Sequence, residues 1–212
     1  MSAVDLGGSA ESAREGGGTV AGVASATVTQ NQDPNGLGRV KLRLPWRDPG
    51  FETDWARVAA PMAGGGRGSF FLPEVGDEVL VAFDRDDIRY PYVIGALWSR
   101  TDKPPEDNKG HKNDIRLIKT RKGHVVKFDD GAKGSILIEL NDGKKILVDD
   151  DGIRIDDKSN KITLDAKAGS VTIEAMQTLT LKAPKISVEA STSMDLKGGG
   201  SLNANAGMVR IN

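Results

Sequence analysis

The 212-residue sequence contains no cysteine, which excludes a disulfide framework. It has two histidines, His111 and His124, too few for a zinc centre built from cysteine and histidine. No metal and no cofactor are therefore expected. No run approaches the ~20 consecutive apolar residues of a membrane span. Residues 1–18 lack the charged-then-apolar pattern of a signal peptide, so synthesis in the cytoplasm without one is expected. Charge of one sign is missing as well. Lys+Arg number 29 and Asp+Glu 30, whereas a dedicated nucleic-acid binder would carry a basic excess, so no nucleic acid is expected as a partner. Aromatics are scarce at 5%, but glycine is abundant at 26 residues, about 12% against the usual ~7%. Many glycines with few helix signals predict short strands and turns.

Residues 1–18 are Gly, Ser, Ala and charge without sustained periodicity and read as a flexible or partner-ordered arm. From Thr19 the pattern is β-like, with Val20, Val23 and Val28 leading to turn residues Asp33, Pro34, Asn35 and Gly36. Residues 38–44 alternate strictly, apolar at Val40, Leu42 and Leu44 and cationic at Arg39, Lys41 and Arg43, which predicts a half-buried strand. A strand is expected over 55–59, a flexible or partner-contacting loop over the glycine run 64–68, and strands over 78–83 and 90–97 around an acidic turn. Five strands at this spacing make a small antiparallel barrel or sandwich over 19–98. Residues 99–114 form a polar linker stiffened by Pro104 and Pro105.

Residues 115–212 carry an internal repeat of apolar residues two apart. The pairs are Ile138/Leu140, Ile146/Val148, Ile153/Ile155, Ile162/Leu164, Val171/Ile173, Leu179/Leu181, Ile186/Val188, Met194/Leu196, Leu202/Ala204 and Val209/Ile211. They recur about every eight residues, with polar residues such as Arg154, Thr163, Thr172 and Thr180 between members. Such a strip exposes its strand edges and encloses no core alone. It could coil on itself as a solenoid, or three copies could wind into a triangular prism. The solenoid leaves few coils and two bare ends, so the homotrimer is favoured. Its expected core comprises Ile146, Val148, Ile153, Ile155, Ile162, Leu164, Val171, Ile173, Leu179, Leu181, Ile186, Val188, Met194 and Leu196.

Four blocks carry a family resemblance: Gly38 to Trp46 (GRVKLRLPW), Trp55 to Ala59 (WARVA), Phe71 to Phe83 (FLPEVGDEVLVAF) and Pro91 to Trp98 (PYVIGALW). With Gly123 to Asp130 (GHVVKFDD) they resemble the spike family of contractile injection systems, which comprises phage baseplate assembly protein V, VgrG proteins and the spikes of extracellular injection systems. The resemblance implies an all-β protein, an N-terminal OB-fold barrel followed by an intertwined homotrimeric triple-stranded β-helix needle. It implies a membrane-puncturing spike of a phage tail, tailocin or injection particle, assembled into the baseplate and in transient contact with a target membrane. With no hub domain before Thr19, docking on a separate baseplate hub protein is expected. Some relatives close their apex around iron held by a His-x-His motif, and this sequence has no histidine after His124. A separate PAAR-like tip protein is therefore expected to dock on Met208, Val209, Arg210, Ile211 and Asn212.

Rival readings rest on isolated residues. His124 lies in a β-patterned stretch without a nearby nucleophile motif, and Glu74, Asp77 and Glu78 flank a glycine turn, so no catalytic residue and no enzyme activity are expected. The Asp-Gly turns at Asp130, Asp142 and Asp151 lack the spacing of calcium loops and read as tight turns. The alternative function is a trimeric rod-like adhesin or receptor-binding tail protein.

Overall fold

A computed structural model describes residues 19–211; the arm expected over 1–18 and Asn212 lie outside the described residues. The chain divides between Asp107 and Asn108 into two compact units.

The first unit contains β1 (Val23–Gln30), β2 (Lys41–Arg43), β3 (Arg57–Val58), β4 (Ala63–Gly64), β5 (Arg67–Gly68), β6 (Glu78–Phe83) and β7 (Pro91–Leu97). Five of these form one sheet in the order β2-β1-β6-β7-β3. The alternation over 38–44 has the consequence expected of it: Val40, Leu42 and Leu44 are buried in the core, while the cations between them face outward. Val79, Val81 and Phe83 on β6 and Ala26 and Val28 on β1 join them, period two throughout. The sheet is not wholly antiparallel, because β3 runs parallel to β7, pairing Arg57 with Tyr92 and Val58 with Val93. Val40 and Ala56 exchange both backbone hydrogen bonds, at 3.0 and 2.7 Å. This bridge draws the edges near β2 and β3 together and curls the sheet around its core in the manner of an OB fold. The glycine run expected to be a loop forms the small hairpin β4-β5, where Gly68 at φ +148 passes so close to the Met62 carbonyl that no Cβ would fit.

The second unit is a meander. Strands β8 (Ile115–Lys119), β9 (Val125–Asp129), β10 (Ser135–Glu139), β11 (Lys145–Asp149), β12 (Gly152–Asp156), β13 (Lys161–Asp165) and β14 (Ser170–Glu174) follow one another antiparallel in a seven-stranded sheet. Two details differ from the sequence reading. The sheet starts at β8, and the pair on β10 is Ile136/Ile138, since the strand ends at Glu139 and Leu140 lies in the turn, donating its N–H to Lys144. Beyond Glu174 the strip of apolar pairs continues, but residues 175–211 form no strand within the chain.

Candidate functional site

The first unit has cationic and carboxylate groups to weigh, and they satisfy one another. Arg39 pairs with Asp33 at 2.8 Å, and Lys41 with Glu52 at 3.0 Å. Both cations lie over the Trp55 ring, within 6 Å of its centroid, 5.9 and 5.5 Å away. The Arg39 guanidinium and three backbone N–H groups hold the Asp33 carboxyl well below the usual carboxylate range. The hydrogen bond from Thr29, then Lys41 and Gln30, lowers Glu52. Arg39 and Lys41 are thus tied to carboxylates of the same unit, while Arg43 on the same face makes no ion pair among the described residues. Glu74 and Asp77 form a turn, the Asp77 carboxylate accepting from the Glu74 N–H at 2.8 Å. In the second unit, His124 Nδ1 accepts from the Asn141 N–H at 3.2 Å, tying two neighbouring turns together. Among the described residues, no three His, Cys, Asp or Glu side chains converge as a metal site requires.

The feature left without a partner is one face of the meander. In-register pairing stacks its apolar side chains into two columns. One runs Phe128, Ile136, Val148, Ile153, Leu164, Val171; the other runs Ile118, Val126, Ile138, Ile146, Ile155, Ile162, Ile173. Alternation turns Lys127, Arg154, Thr163 and Thr172 to the opposite face, together with Leu117, Leu137 and Leu147 near its start. The expected core residues Ile146, Val148, Ile153, Ile155, Ile162, Leu164, Val171 and Ile173 therefore share one surface. They are 36–52% exposed, except Val171 at 68%. No described residue of the second unit is buried, whereas eleven apolar residues of the first unit are 7% exposed or less. A hollow of about 360 Å³ opens on this face between Ile155, Ile162, Ile173 and Leu179.

Sequence reasoning missed Ile118, Val126, Phe128 and Ile136, although Ile136 stands two residues before Ile138 and the same spacing would have found it. The remaining expected core residues, Leu179, Leu181, Ile186, Val188, Met194 and Leu196, lie in the strandless segment and are 46–69% exposed. Of the expected tip-docking residues, Met208, Val209 and Ile211 are exposed apolar side chains and Arg210 donates to the Met208 sulfur at 3.4 Å; Asn212 is outside the described residues.

An OB-like curled sheet followed by a meander with one continuous apolar face is the arrangement of a spike-type protein. Residues 24–98 match the type VI secretion system/phage-baseplate injector OB domain, and residues 115–212 match the phage baseplate V C-terminal trimerisation domain. The chain belongs to the phage baseplate V and VgrG spike family of contractile injection systems. It is similar to the type VI secretion system spike protein VgrG2a of Pseudomonas aeruginosa, 38% identical over 79 residues, 35% of this chain and 9% of the relative. Similarity to the spike protein VgrG3 of Vibrio cholerae is 29% over 138 residues, 61% of this chain and 14% of the relative. The actin cross-linking toxin VgrG1 of Vibrio cholerae is 30% identical over 183 residues, 82% of this chain and 15% of that protein. The chain spans between 9% and 15% of the length of these relatives.

Proposed function

We propose that three copies of this chain assemble into a non-enzymatic puncturing spike at the end of the tube of a contractile injection machine. The observation that carries this reading is the two-column apolar face, exposed on a sheet that has no buried residue of its own. Three such faces turned inward enclose a dry axis, and hydrophobic burial is the largest available driving force for that closure. Residues 175–211 keep the apolar spacing yet form no strand pairing among the described residues. Their backbone N–H and C=O groups need partners once buried, and two further copies wound around the same axis supply them. Function then resides in stiffness: interchain hydrogen bonds and a packed axis transmit the thrust of contraction to a small area of target membrane.

The curled sheet of the first unit docks on a separate baseplate hub protein, so that the particle's assembly places the spike in a phage tail or injection particle baseplate. The exposed Met208, Val209 and Ile211 receive a separate PAAR-like tip protein that supplies the point. Light scattering on the purified chain tests the core of this reading. The expected mass is three times that of the 22.5 kDa chain, and a folded monomer overturns it. Truncation after Gly207 should leave the particle at three times its own chain mass while abolishing capture of a PAAR-like protein in a pull-down; retained capture removes the tip assignment.

A further inference from the structure

The turns of the seven-stranded meander fall alternately on its two long sides, and the sides differ in charge. One side carries the turns at 129–135, 149–152 and 165–170, with Asp129, Asp130, Asp149, Asp150, Asp151 and Asp165 against two lysines. The other carries the turns at 119–125, 139–145 and 156–161, with seven Lys and Arg against four carboxylates. Several of these charges are satisfied within the chain: Asp149 by Arg154, Asp151 by Lys167, Asp142 by Lys144 at 2.9 Å, Asp129 by Lys127 at 3.5 Å and Asp130 by Arg116 at 2.5 Å. At the tips, however, exposed Asp150 on one side and exposed Lys122 and Lys158 on the other make no ion pair among the described residues.

A threefold axis never sets like edge against like edge. Rotation brings the acidic side of each sheet to the cationic side of the next at all three corners, and leaves heights along the axis unchanged. Because the turns of the two sides alternate strand by strand, those of neighbouring chains interleave at offsets of about 4.8 Å. The turn of Asp149 to Asp151 then falls between the neighbour's turns at 139–145 and 156–161, within reach of Lys144 and Lys158. The turn of Asp129 and Asp130 falls between those at 119–125 and 139–145, opposite Lys122.

The geometry points to interchain ion-pair seams along the corners of the prism, in which the acidic turns of one copy mesh with the cationic turns of the next and fix the register of association. This inference rests on the trimeric reading above and adds to it what recognises what. Solvent-exposed ion pairs contribute little to stability, but complementary potentials steer encounter and exclude wrong registers. A slip by one strand would set acidic turns level with cationic turns rather than between them, and a slip by reversal of one chain would set like charges together. The apolar columns, being nearly uniform in side-chain type, reject neither.

The test uses the full chain with tip charges exchanged on both sides: D114K and D150K together with K122E and K158E. Asp114 stands beside the first acidic turn, its carbonyl accepting from the Asp130 N–H at 2.8 Å. The exchanged chain is co-expressed with wild type carrying a mass tag, and the trimers are read by native mass spectrometry. Each chain should form homotrimers with itself, and mixed trimers should fall on the order of tenfold below their binomial share, because every mixed trimer sets exchanged tips against wild-type tips of the same sign. A binomial mixture overturns the seams while leaving the trimer standing; monomers in the wild-type sample overturn the trimer itself. Should the exchanged chain fail to fold, the salt dependence of wild-type assembly decides. The trimerisation rate should fall by roughly tenfold between low and high NaCl as screening shortens to a few ångströms, and a rate independent of salt refutes the seams.

Discussion

Leu164→Ala and Thr163→Ala change adjacent residues of β13 on opposite faces of the same sheet, and a trimeric needle makes them behave very differently. In the single chain both positions are partly solvated, Leu164 being 38% exposed. A Leu→Ala change in an open sheet removes only the part of the side chain already sheltered by Ile153 and the adjoining strands, at a cost of roughly 1–2 kcal/mol. Inside a closed prism the same change leaves a cavity beside the axis, and buried Leu→Ala changes cost about 2–5 kcal/mol each. Symmetry imposes it three times, so the assembly loses roughly 6–15 kcal/mol, of which even the lower figure is about four powers of ten in the association constant. Thr163 stacks between Arg154 and Thr172 on the other face, and its truncation should cost within about 0.5 kcal/mol per chain. Far-UV thermal melts over a range of protein concentrations, with light scattering at each, read the difference. Leu164→Ala should lower the midpoint steeply and make it concentration-dependent, whereas Thr163→Ala should leave it in place. Equal and small effects at both positions would mean that the apolar face is not enclosed.

Ile162→Asp with Leu164→Asp should abolish assembly outright, because six carboxylates would converge on a dry axis; sedimentation should then show monomer, and trimer would contradict the inward orientation of this face. Gly152 at φ +137 lies against the Leu164 carbonyl oxygen, where an added Cβ would overlap it. Gly152→Ala should therefore cost several kcal/mol and Gly134→Ala, whose Cβ would meet nothing closer than 3.7 Å, less than about 1, measured as thermal midpoints. The Asp33 carboxyl is depressed by Arg39 and backbone N–H donors, so its contribution is present above the ordinary carboxylate value of about 4 and is lost as pH falls through its lower folded value. Trp55 fluorescence should report acid unfolding of the first unit that is shallower in Asp33→Asn; an identical acid limb would show that the Asp33 pair does not contribute.

The parts of the fold governed by period-two burial were legible before the structure. Val40, Leu42 and Leu44 alternate in the sequence and are buried as that alternation requires. The pairs from Ile146 to Ile173 likewise fall on one face. Where the sequence misled, the cause was a choice between equivalent frames. Ile136, Ile138 and Leu140 are three apolar residues at spacing two, and only the tight turn from Leu140 to Lys144 decides that the strand holds the first two. The parallel pairing of β3 with β7 was not legible at all, because two residues of strand carry no periodicity and their direction is set by the chain reversals on either side. The unpaired segment 175–211 shows the opposite limit. Its apolar spacing matches that of the meander, yet it forms no strand within the chain, since spacing records which residues share a face and says nothing about which backbone supplies the neighbouring strand.

The contrast between the meander and segment 175–211 gives the proposed trimer an order of assembly. The first unit has a core of its own in Val28, Val40, Leu42, Val79 and Val81, so each chain can complete it before meeting another. The meander pairs all its backbone within one chain through short turns, contacts of low sequence separation that close quickly, and it emerges with its apolar face prepared. In the proposed trimer only then can three faces meet, and their meeting would hold the chain ends after Glu174 close enough for interchain strands to form. Winding three unstructured tails without that anchor would cost the loop-closure and association entropy of every strand at once. Nucleation at the meander converts the winding into successive local additions. Deleting β8 to β14 while retaining residues 175–211 should therefore leave chains that do not wind, as judged by the absence of a β signal in far-UV circular dichroism beyond that of the first unit. A trimeric, β-rich product from such a deletion would show that the intertwined segment directs its own assembly and that the meander follows it.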